Sequence, residues 1–214
     1  MAGITVSTER HPSVCTRRFA TAKLTADTAE ALTYEKPIEI LSDLITAQYQ
    51  PKMNSAEMYA SGIAVESYVA KAGGTLNITV VGLNSDDEKE YFGCTIRDDN
   101  VIESASTDYV PDRMVIYSTE RSDGTMNLYK FLKAKFTSQG ETVETTDASG
   151  VKYNGTGLQA EYKNVLRPDA KGKNKDMVCI KGIDVSTEDG KTFYDNWFND
   201  AMFGVDDTNA PSGT

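Results

Sequence analysis

Apolar and polar residues alternate along much of this chain, and period-two alternation predicts strands. The clearest case is Thr75 to Val81, where Leu76, Ile78 and Val80 share one face and Thr75, Asn77 and Thr79 the other, after a Gly73-Gly74 break. Arg113 to Thr119 and Met126 to Phe136 are two-faced runs, with Val115 and Tyr117 on one side and Met114 and Ile116 on the other. The Asp123-Gly124 pair between them predicts a hairpin with a somewhat long loop. Arg18 to Thr25, Leu158 to Tyr162 and Met177 to Asp184 read as further strands. Tyr34 to Ile40 contains Pro37 and suits an edge strand or a strand start. Ile38, Ile40, Leu41, Leu44 and Ile45 fit strand ends or one helical turn equally well.

Two short helices are expected. Ser85 and Glu88 have capping-box spacing at the head of an acidic turn, and Gly93 closes it. Thr192 caps a second helix through Phe193, Trp197 and Ala201, with Gly204 as terminator, and its aromatic mass docks on the sheet. Residues 1–16, the polar loop near 138–153 and the tail 205–214 lack apolar periodicity. They read as an arm, a loop and a tail that order on contact with a neighbour. Residues 17–204 then form one β-rich domain. The expected fold class is mainly β, sandwich or barrel-like, with one or two short helices.

Composition narrows the function. The chain has 214 residues, enough to bury a core without metals or disulfides. Its 22 basic and 32 acidic residues leave a net charge of −10, a surface that repels polyanions and anionic membranes. No basic-then-apolar leader and no membrane-length apolar run is visible. Cys15, Cys94 and Cys179 are odd in number and far apart, which suits synthesis in a reducing cytosol.

Candidate chemistry is sparse, and no enzyme, cofactor or metal is expected. His11, the one histidine, lies in the polar leader. The cysteines read as small core hydrophobes. Gly155, Gly157 and Ala160 match the dinucleotide fingerprint in letters, but they sit in a strand-like run where that fingerprint needs strand, turn and helix. Asp184, Ser186, Glu188 and Asp195 approach a calcium-loop spacing, but Asp189 occupies the sixth position and the glycine falls late, at Gly190. A turn at Asp189-Gly190 is the plainer reading.

Charge is unevenly distributed. From Asp86 to Asp108 eight acidic residues face two basic ones, while Lys163 to Lys175 holds five basic residues and Asp169. Two solvated faces would suffice. The sharper expectation is a contact between copies, with Asp86, Asp87, Glu88 and Glu90 of one meeting Lys171, Lys173 and Lys175 of the next.

The run Leu24-Thr25-Ala26-Asp27-Thr28-Ala29-Glu30-Ala31-Leu32-Thr33-Tyr34 followed by Pro37, then Ala56-Glu57-Met58-Tyr59-Ala60-Ser61-Gly62, resembles the front of the major tail proteins of long-tailed bacteriophages, especially those of Gram-positive hosts. The segment order that follows is similar as far as about Lys163, and the longer carboxyl region departs from it. The resemblance implies a structural virion protein, made in the host cytoplasm, that stacks hexameric rings of itself into a tail tube. Implied partners are the tape-measure, tail terminator and distal tail proteins, with double-stranded DNA passing through unbound and no membrane contact. Six subunits giving four strands each would make about 24 strands spaced ~4.8 Å and tilted ~40°, a backbone diameter of roughly 45–50 Å. The Arg113–Phe136 hairpin is expected in the tube wall, with Val115, Tyr117, Leu128 and Lys130 alternating between packed and open sides. The tube subunit of a contractile injection or secretion device, and a monomeric β-rich binding module, are the alternative readings.

Overall fold

The computed structural model describes residues 4–29, 32–40, 44–60, 63–97, 100–102, 109–138, 155–165 and 177–199. The chain is mainly β with two short helices, as its alternation predicts. In chain order the elements are β1 (Ser13–Asp27), β2 (Leu32–Tyr34), β3 (Ile38–Ile40), β4 (Leu44–Ala60), β5 (Ile63–Val80), α1 (Ser85–Phe92), β6 (Thr95–Arg97), β7 (Asn100–Ile102), β8 (Arg113–Arg121), β9 (Met126–Ser138), β10 (Thr156–Tyr162), β11 (Met177–Ile183) and α2 (Glu188–Asn199).

One antiparallel sheet carries the fold, in the order β2-β1-β8-β9-β10-β5-β4. β3 pairs with β1, and β11 takes the stretch of β9 that β10 leaves free. β2 and β3 flank Pro37 as two short edge pieces, which resolves the ambiguity around Ile38 in favour of strands. β6 and β7 form a separate small hairpin.

The hydrogen-bonded path is open, but the sheet curls hard. In a flat sheet β4 and β9 would lie ~14 Å apart, three strand spacings. The Tyr49 ring on β4 is instead 6.0 Å from Tyr129 and 5.9 Å from Phe131 on β9. The Thr16 hydroxyl near the start of β1 donates to the Leu44 carbonyl at 3.2 Å, so the two ends of the path approach each other. The barrel-like expectation is therefore met by curling rather than by closure of the ladder.

Two apolar clusters occupy opposite faces. The inner one joins Phe19, Leu76, Ile78, Val115, Tyr117, Phe131, Phe136, Leu158 and Tyr162. The outer one packs Ala20, Met114, Ile116, Leu128, Leu132 and Ile183 beneath Trp197 and Phe198 of α2. That helix starts earlier than expected. The Thr187 hydroxyl accepts from the Gly190 amide at 3.1 Å and caps it, so Asp189-Gly190 lies inside a helix and makes no turn.

Candidate functional site

The most distinctive feature is an arm. Pairing of β5 with β10 ends at Gly74 opposite Tyr162, yet β4 and β5 continue as a two-stranded ribbon to Ala60 and Ile63. Among the described residues no strand pairs with either outer edge of the ribbon beyond that point. Register puts Met58 and Tyr68 on one face, and Met53 and Val69 on the other. Their exposures are 58%, 67%, 55% and 57%. An isolated two-stranded ribbon is marginal in water, and exposed apolar groups on both faces mark a surface made to be covered.

The root of the arm is built tightly. Gly73 and Gly74 have φ of 79° and 159°, and a Cβ on Gly73 would collide with the Tyr162 carbonyl. Pro51 sits opposite Gly74 at a register shift. The glycines let the backbone leave the body where a side chain could not pass.

Two acids of α1, Asp87 and Glu90, bond within their own chain. Asn84, not Ser85, is the N-cap, with the reciprocal bonds to Asp87 at 2.8 and 3.1 Å, and Gly93 closes the helix in the left-handed region. Glu90 binds the buried Arg113 guanidinium at 2.7 Å, which also donates to the Thr21 hydroxyl at 3.1 Å. Asp86 is exposed and Glu88 half-buried. Lys171, Lys173 and Lys175 lie outside the described residues.

The β8–β9 hairpin forms with the expected turn. Val115 and Tyr117 point into the inner core, and Leu128 lies under α2. The Lys130 ammonium sits 4.2 Å from the Trp197 ring centre, with the residue 1% exposed. α2 thus covers the second face along Leu128, Lys130 and Leu132, while Thr137 near the end of β9 is exposed.

The sheet face left open lies on β4, β5, β10 and the end of β9. Residues on the opposite parity, including Tyr49, Ile78, Leu158 and Phe136, fill the inner core, so Gln48, Asn77, Gln159 and Thr137 point outward as one row in register. Gln159 donates to Asn77 at 3.1 Å, and the hydroxyls of Thr46 and Thr79 bond at 3.0 Å in a neighbouring row. Glu161 and Lys135 oppose each other in register on this face.

The remaining candidates have structural roles. β1 begins at Ser13, so the expected arm is shorter than residues 1–16, and its described part is tied down. Val6 bridges Ile183, and the Ser7 amide donates to the Gly182 carbonyl at 2.8 Å. An open cleft of about 740 Å³ lies beside this leader. Its Arg121 donates to the Ser7 and Glu9 carbonyls, and its His11 lies 3.2 Å from Glu9 and 3.5 Å from Asp123. These groups fasten the leader to the hairpin end. Burial pushes the Cys179 thiol up in pKa, away from nucleophilic reactivity. Asp184 accepts from the Ser186 hydroxyl and amide at 2.6 and 2.9 Å, which holds its carboxyl below the usual range. Gly157 and Ala160 lie in β10, between two strands. Among the described residues no group of three His, Cys, Asp or Glu could hold a metal ion, and no helix is long and apolar enough to cross a membrane.

No protein-family model matches the chain, and no curated protein matches it. Its surfaces therefore carry the functional argument. Sequence reading missed the arm as a structure, because bulky apolar residues fall on both parities, Met53 and Val69 on one and Met58 and Tyr68 on the other, so no one-sided alternation marks it.

Proposed function

We propose that this chain is a tail-tube subunit of a long-tailed bacteriophage, which stacks rings of itself, six copies to a ring, into the conduit for DNA ejection. The observation that carries the reading is the β4–β5 arm. A ribbon whose outer edges pair with no strand among the described residues, with an apolar pair on each face, suits insertion against neighbouring copies, where main-chain bonding and side-chain burial act together. A head-to-tail contact of this kind repeats without closing on itself along the tube axis, so it builds a filament. The curled antiparallel body, the resemblance of Leu24 to Tyr34 and Ala56 to Gly62 to tail-tube proteins, and the net charge of −10 support the same reading. An acidic particle does not trap a polyanion that must pass through it. The proposed location is the virion tail, and the tape-measure, terminator and distal tail proteins are the proposed partners.

The test is to replace residues 53–71 by a short turn and compare sedimentation with the full chain. Tubes from the full chain and a folded monomer from the shortened one are expected. If both sediment alike as monomers, the arm has no assembly role and a monomeric binding module is the better reading.

A further inference from the structure

We propose that the cleft beside the leader is a binding site for a small oligophosphate, held by Arg10, Lys181 and the leader's own backbone amides. The site belongs to the single subunit and holds whatever that subunit assembles into. Charge is the first observation. The chain carries a net −10, yet Arg10, Arg121 and Lys181 line this cleft against one acid, Glu9. Asp123, 3.9 Å from Arg121, offsets part of that charge. A cleft of one sign with low-dielectric walls focuses its field and gathers the opposite ion.

The second observation is which polar groups remain unspent. The buried Arg121 guanidinium donates to the Ser7 and Glu9 carbonyls, and the Ser122 amide donates to the Pro12 carbonyl at 3.0 Å. These carbonyls are thus occupied by the body of the subunit. The amides of Thr8, Glu9, Arg10 and His11 have no acceptor among the described residues. Arg10 and Lys181 are exposed and have no carboxylate partner there. Guanidinium, ammonium and backbone N–H together form the donor set that phosphate oxygens bind best. An oligophosphate brings several charged oxygens along one short chain, which suits donors spread along the leader.

The walls are also fixed in the subunit. Gly182 has φ of 77°, and a Cβ there would press on the Ser7 carbonyl at 2.5 Å and on the Arg121 guanidinium. Its amide donates to the buried Asn127 side chain at 3.2 Å. Leader, guanidinium and β11 therefore meet where a glycine fits and a larger residue does not. The volume of about 740 Å³ lies within the ~300–1,000 Å³ of small-molecule sites.

The experiment is calorimetric titration of the full chain with tripolyphosphate at low salt. Saturable binding of one tripolyphosphate per subunit is expected, weakening as salt rises. Arg10→Ala/Lys181→Ala should weaken it at least about tenfold, while Lys191→Ala on the exposed side of α2 should change it less than about twofold. No saturable binding, or equal losses in the two variants, would overturn the site, the second by showing diffuse attraction. Citrate binding as tightly as tripolyphosphate would overturn the choice of phosphate. Hydrogen exchange of the unmutated chain gives a readout that needs no variant. Tripolyphosphate should slow exchange at Thr8 to His11 at least about threefold, and unchanged rates there would contradict the part assigned to the leader amides.

Discussion

Replacing Met58 and Tyr68 by serine should weaken assembly strongly while leaving the subunit intact. Both residues are on one face of the arm and expose 58% and 67% of their surface. Full burial of such side chains contributes about 1.5–3 kcal/mol each. Covering the exposed three-fifths to two-thirds on assembly is therefore worth ~1–1.5 kcal/mol for Met58 and somewhat more for Tyr68, about 2–3 kcal/mol together. Since 1.4 kcal/mol is a factor of ten, the threshold concentration for tube formation should rise ~30- to 150-fold. The assay is light scattering against protein concentration, with a thermal melt of the monomer as control. Exposed substitutions of this kind should move monomer stability by no more than about 0.5 kcal/mol. An unchanged threshold with an unchanged melt would show that this face of the arm stays in water in the tube, and the burial argument would be refuted.

Four further outcomes are expected. Glu90→Ala leaves the buried Arg113 guanidinium short of its carboxylate partner, and should cost about 1.5–3 kcal/mol in chemical denaturation. Gly73→Ala, at φ of 79° against the Tyr162 carbonyl, should cost about 1–3 kcal/mol and speed hydrogen exchange at the root of the arm. Thr187→Ala removes the cap of α2 and should cost ~1 kcal/mol, read in the same denaturation assay. Burial raises the pKa of Tyr34, Tyr117 and Tyr129, and that of Tyr91 from 10.0 to about 12. The folded state then holds these protons more tightly, so stability is complete below pH 10 and falls as pH rises past it, by up to ~1.4 kcal/mol per unit for each tyrosine, with the Tyr91 share exhausted by about 12. Melting temperature against pH, with tyrosinate absorbance alongside, checks the sign.

Where one side of a strand is buried, the sequence was legible. Thr75–Val81, the Arg113–Phe136 hairpin, Leu158–Tyr162 and Met177–Asp184 all coincide with strands of the sheet, because the core selects apolar residues at every second position. The same logic explains the failures. In β4, the run Lys52-Met53-Asn54-Ser55-Ala56-Glu57-Met58 has no buried side in the subunit, so no alternation announces the strand. In β8 and β9 both rows are apolar because α2 covers the second face, and the sequence could not reveal that cover. The second helix was placed late because Asp189-Gly190 resembles a turn until the Thr187 hydroxyl is seen to bond the Gly190 amide. The bond from Glu90 of α1 to Arg113 was not legible because the two stand 23 residues apart in sequence.

The central claim, that this chain builds a hollow tube from copies of itself, is most directly tested by negative-stain electron microscopy of the purified protein across a concentration series. The account predicts rings at low concentration, then tubes of constant width with a stained central bore that lengthen as concentration rises. Particles that stay single subunits at the highest concentration reached would contradict it.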